Sequence, residues 1–195
     1  MPVRLRKGQK VSLEKDGVTL KKVLVGLGWK VDEYLSHGVD IDLDASAFLL
    51  GRSGKVTCDN DFIFYGNYDD NYGAVHHMGD NRTGNSKGDD EQITIDLDKL
   101  PEKIERVVIV VTIYDYEKKR QNFGSVREAF IRIEDMETNR EEFRFDLGED
   151  FSCETAVAFG EIYRHNGGWK FNAIGKGFMG GLAAFCHTYG VNIED

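Results

Sequence analysis

Proline and cysteine are both scarce: two prolines and three cysteines in 195 residues. Cys58, Cys153 and Cys186 are scattered, form no Cys-x-x-Cys pair and are odd in number, so no disulfide framework is expected and the pattern fits a reducing cytosol. With so little proline and no Pro/Ser-rich stretch, no linker divides the chain, and one domain over 1–195 is expected. Long apolar runs are missing too; none approaches the ~20 residues needed to cross a bilayer. Met1 to Lys10 is basic without an apolar core, so no secretion signal is read there. These absences predict a cytoplasmic protein without direct membrane insertion. Positive charge is in deficit: 25 Lys and Arg against 34 Asp and Glu leave a formal charge of −9. That balance argues against nucleic acid, or an anionic membrane, as the main partner.

What is present is a series of short β-patterned runs separated by Gly, Asp and Asn. They are Val18 to Trp29, Asp40 to Leu50, Phe62 to Tyr65, Val75 to Met78, Ile93 to Leu97, Arg106 to Tyr114, Val126 to Ile133, Glu142 to Phe145, Thr155 to Tyr163 and Trp169 to Gly175. The β-branched run from Val107 reads as a strand buried on both faces. Strands at this spacing predict an all-β fold, a sandwich or barrel with minor helix. Asn166-Gly167 between Tyr163 and Trp169 marks the clearest hairpin, and Gly181 to Tyr189, ended by Gly190, the clearest helix.

The acids are unevenly placed. Asp80 to Glu91 packs four carboxylates, further side-chain oxygens and two glycines into twelve residues. Hard oxygen donors on a glycine-bent loop are what a hard divalent cation requires, and many carboxylates on such a loop suit calcium better than magnesium. Asp40, Asp42 and Asp44 alternate, so on a strand they share one face about 7 Å apart and repel unless a cation lies near. They are no EF-hand: the sixth position is Ala45 where Gly is needed, and the twelfth is Gly51 where Glu is needed. A non-EF calcium site shared between this strand end and the Asp80 loop is the sharper reading; a solvated acidic face is the plainer one. Zinc fits poorly, because His76 and His77 alternate faces with no cysteine near them in sequence. His77 is expected in the core or at the loop base.

No catalytic residue is read. Phe123-Gly124-Ser125-Val126 lacks the second glycine of a nucleophile elbow, and Gly79 to Gly88 lacks the Gly-Lys-Ser/Thr ending of a phosphate loop. Cys153 and Cys186 are expected to be buried and inert, Trp29 and Trp169 to pack in the core, and Glu117 to Arg120 to be a solvated loop.

Several long stretches then occur in a telling order. They include Leu24 to Trp29, Asp42 to Leu50, Asp61 to Tyr65, Gly79 to Gly84, Gly88 to Glu91, Phe123 to Val126, Ala129 to Arg132, Gly160 to Gly167, and Trp169 through Leu182. In these the chain resembles the TerD family of tellurium-resistance and stress-response proteins, nearly end to end. The resemblance implies a two-sheet β-sandwich, two adjacent calcium ions, a role in resistance to tellurite and other chemical stress, and no established enzymatic activity. Carried over by motif, the ligands are Asp42 and Asp44, then Asp80, Asn81 and Thr83, then Asp89, Asp90 and Glu91, with Asn67 and Asp40 as weaker candidates. Partners would be other stress-response proteins, including membrane-associated ones. Two departures bear on the sites: Lys30 follows Trp29 where the family commonly has Asp, and Ser86-Lys87 stands where its loop commonly has Gly. Two other readings remain open, a lectin-like calcium-dependent binder of a small polar ligand and a hydrolase in which the metal activates water.

Overall fold

In the computed structural model the described residues are 1–15, 17–32, 34, 36, 41–79, 88–148 and 151–193. Among them the strands are β1 (Val3–Leu5), β2 (Lys10–Ser12), β3 (Glu14–Lys15), β4 (Val18–Thr19), β5 (Lys22–Val31), β6 (Leu43–Leu50), β7 (Phe62–Ile63), β8 (Val75–His77), β9 (Glu91–Asp96), β10 (Arg106–Ile113), β11 (Val126–Asp135), β12 (Arg140–Asp146), β13 (Ala156–His165) and β14 (Gly168–Phe178). The helices are the single turn α1 (Tyr116–Lys119) and α2 (Gly181–Tyr189).

Two six-stranded sheets form, in the orders β1-β12-β11-β5-β9-β8 and β2-β14-β13-β10-β6-β7, with β3 and β4 as a separate ribbon. Alternation explains how they meet. Val23, Val25 and Leu27 of β5, Ile93 and Ile95 of β9, and Ile131 and Ile133 of β11 share one core with Ala45, Ala47 and Leu49 of β6 and Val107, Ile109 and Val111 of β10. That core lies between the sheets, so the expected sandwich is what forms. The other face of the second sheet carries Phe48, Val108, Val110, Ala156 and Ala158 under Phe185 and Cys186 of α2. This is why β10 is apolar at consecutive positions: one side faces the sandwich and the other faces the helix.

Each strand read from the sequence is present, and α2 runs from Gly181 to Tyr189 with Gly190 in the left-handed region. His165 pairs with Gly168 across a turn in which Asn166 (φ 50°) and Gly167 (φ 81°) both take positive φ, as a two-residue hairpin needs. Trp29, Trp169 and His77 are buried as expected. Two expectations need correction. Cys153 is exposed, because it lies in the connection between β12 and β13 and not in a strand. The segment around Glu117 to Arg120 forms the helical turn α1, bounded by Asp115 (φ 57°) and Arg120 (φ 53°), though it stays at the surface.

Candidate metal centre

The acidic loop joins β8 to β9. Asp80, Asn81 and Thr83, with Ser86 and Lys87, lie outside the described residues, as does Asp40 at the approach to β6. Both ends of the loop are held firmly. On the incoming side Met78 N–H donates to Gln92 O (2.9 Å) and Gly79 N–H donates to His77 Nδ1 (3.1 Å). Since Nδ1 accepts, the His77 proton sits on Nε2. Nε2 lies 3.2 Å from Ala45 O of β6 and 3.1 Å from Glu91 Oε2 of β9. A buried imidazole therefore ties the acidic strand end of one sheet to the acidic strand start of the other.

On the outgoing side three consecutive acids point three ways, because the chain bends at Asp90 before β9 begins at Glu91. Asp89 faces outward over Gly26, where a Cβ would overlap its carboxylate. Its two oxygens accept from Arg132 Nε (2.7 Å) and Nη2 (2.6 Å), and Oδ2 also accepts from Gln92 Nε2 (2.8 Å). The fork is charge-assisted and bidentate; Asp89 and Glu134 hold the Arg132 guanidinium well above its ordinary pKa. Asp90 is buried at the end of β5, accepting from Trp29 N–H (2.9 Å) while its own N–H donates to Leu27 O (2.7 Å). Glu91 turns inward beside His77 and is 1% exposed. The Arg132 guanidinium thus lies directly against the Asp89 carboxylate.

Asp42 and Asp44 lie at the start of β6. Asp42 O accepts from Tyr114 N–H (2.8 Å), and Asp44 pairs with Thr112 in the ladder. Asp44 is 5% exposed and lines a cleft with Tyr65, Tyr114 and Tyr116; its charge adds to burial in raising the Tyr65 phenol above its ordinary pKa. Asn67 stands apart: its Nδ2 donates to Phe62 O (2.8 Å), and its backbone closes a tight turn with Phe64, a structural duty. Lys30 pairs with Glu128 at 2.6 Å on the exposed surface.

Other buried acids contrast with these. Asp61 accepts from Thr57, Cys58 and Tyr72, and Asp70 accepts from the N–H groups of Tyr72, Ala74 and Val75. These fasten turns. Among the described residues no group of three or more His, Cys, Asp or Glu is assembled closely enough to hold a metal ion, so a complete site would have to draw on the Asp80 loop. Sequence reasoning missed Arg132. Its only signal was a charged side chain on a strand otherwise alternating with Ile131 and Ile133.

With this geometry in view, the comparison with known proteins is direct. Residues 1–189 match the TerD domain. The chain belongs to the TerD family. This TerD-family chain is 53% identical over 192 residues to Tellurium resistance protein TerD of Serratia marcescens, covering 98% of this chain and 99% of that one. It is 51% identical over 193 residues to General stress protein 16U of Bacillus subtilis (strain 168), covering 99% and 100%. A solved structure of a homologue of telluride resistance protein (TerD) from Streptomyces coelicolor A3(2) superposes with a TM-score of 0.67 at 22% identity, over 85% of this chain and 95% of that one. At that identity the likeness speaks for the fold alone. No helix among the described residues is long and apolar enough to cross a membrane.

Proposed function

We propose that this TerD-family protein is a calcium-binding, non-catalytic component of resistance to tellurite and other chemical stress, acting in the cytoplasm as a scaffold or sensor for other stress-response proteins. The observation that carries the reading is the pair of buried carboxylates, Asp90 and Glu91, where the acidic loop enters β9, with the His77 imidazole set between Glu91 and the Ala45 carbonyl of β6. Support for the stress role comes from the near-complete match to proteins named for tellurium resistance and general stress.

The residues present fit a hard cation in donor type. Asp42, Asp44, Asp90 and Glu91 offer carboxylate oxygens, and Asp80, Asn81 and Thr83 would complete the set from the loop. Asp89 and Asn67 belong to the same expected set and here also engage Arg132 and the Phe62 carbonyl. Bound calcium supplies positive charge that offsets the desolvation of these acids. The chain's part is to hold the donors ready. His77 fixes the spacing of β6 and β9, and the Asp89–Arg132 fork fixes where the loop rejoins the sheet. Ion binding to the folded state alone raises stability by about 2.7 kcal/mol at a hundred times the dissociation constant. Calorimetric melting with and without chelator tests the reading. A clear fall in melting temperature on chelation is expected; identical melting curves would remove its basis.

A further inference from the structure

We propose that the cleft beside α1 and the start of α2 is a binding site for an organic ammonium group, separate in its chemistry from any hard-metal site. The cleft has a volume of about 350 Å³ and is walled by Tyr65, Tyr114, Tyr116, Asp44, Asp115 and Glu117, with Ile113 and Leu182 among its apolar residues. That volume falls at the small end of ligand sites, about 300–1,000 Å³. The rings of Tyr65 and Tyr114 stand edge to face, 6.0 Å between centroids and 83° apart, and form an aromatic corner. The protein's own Lys119 ammonium already lies 5.8 Å from the Tyr114 centroid, so this ring accepts a cation where it stands.

The chemistry of the walls selects the ligand class. Ring faces attract diffuse organic cations, whereas calcium and magnesium require oxygen ligands that a ring face does not offer. An anion meets three carboxylates here. An alkylammonium group matches all three features: its charge faces the acids and the rings, and its carbons face Ile113 and Leu182. Lys118 Nζ already pairs with Asp115 Oδ1 at 3.2 Å and offsets part of that charge. Asp44 and Glu117 supply the rest of the negative wall. Asp44 is shared with the proposed calcium set, but the rings are not, and this makes the two ideas separable.

The test titrates three probes into the full chain, followed by NMR shifts with calcium present and with chelator: choline, N-acetyl-lysine methylamide, and 3,3-dimethylbutan-1-ol, the neutral carbon counterpart of choline. Choline should bind about two- to fivefold tighter than its neutral counterpart, the scale of one cation–π contact at a half-exposed ring. Tyr114→Leu should lose about that factor, while its calcium titration stays as in the native protein. Tyr114 is half exposed, so the variant should fold. Glu117→Gln, at a surface position, should also weaken both cations. The tighter of the two cations names the source, a free quaternary amine or a lysine side chain of a protein. Equal binding of choline and its neutral counterpart, or equal binding by native protein and both variants, would overturn the proposal. A failure of calcium binding with ammonium binding intact would overturn only the calcium reading.

Discussion

Replacing Arg132 by Met tests how the acidic loop is anchored. The change keeps an unbranched side chain on β11 and removes the guanidinium. Asp89, with a side chain 2% exposed, would then lose its bidentate partner while keeping the contact with Gln92 Nε2. Removing one partner of a buried pair costs about 3–5 kcal/mol, because the remaining charge is left desolvated. Arg132 is itself 16% exposed and also pairs with Glu134, so water reaches the site and the lower end of that range applies. For a domain of this size 1 kcal/mol corresponds to about 2–4 °C, so a cost of about 3 kcal/mol lowers the melting temperature by about 6–12 °C. The assay is urea and thermal unfolding of Arg132→Met, Asp89→Leu and the double variant as a cycle. The double variant should recover most of the loss, since neither charge then remains buried alone. A single variant within about 0.5 kcal/mol of native, or a double variant as unstable as the sum of the singles, would refute the reasoning.

Two further outcomes follow from the same chemistry. Cys58 and Cys153 are exposed, while Cys186 is buried on the face of α2 that packs against the second sheet, with its thiol pushed up by desolvation. A thiol reagent should therefore label two groups quickly and the third only on unfolding, and three equally fast groups would contradict the packing of α2. Burial raises the phenols of Tyr65, Tyr116, Tyr163 and Tyr189 above their ordinary value, so above about pH 10 the unfolded chain loses protons that the folded one keeps. Stability held below that pH should decline as pH rises through the folded values, and a flat denaturation profile to about pH 11 would count against it.

Much of the fold was legible because burial writes itself into alternation. β10 announced burial on both faces, and Asn166-Gly167 and Gly190 announced a turn and a helix end through conformations those residues adopt cheaply. β1 and β2 were not legible: each is three residues at a sheet edge, too short to carry a period. For the metal centre the sequence indicated the kind of donor and the region, but not the direction of each side chain. Asp89, Asp90 and Glu91 look alike in a motif, yet one meets a guanidinium, one a backbone N–H and one an imidazole. Arg132 is 43 residues from Asp89, so no local pattern could show that the two side chains pair. The Tyr65–Tyr114 corner was likewise hidden, because its walls come from separate segments that only the second sheet brings together.

The most direct test of the central claim is a calorimetric calcium titration of the metal-stripped protein, run alongside Asp44→Asn and Asp90→Asn. The account predicts saturable binding of two ions by the native chain and a loss of affinity or stoichiometry in each variant. Absence of calcium heat in a folded native protein, or variants that bind as the native chain does, would contradict it.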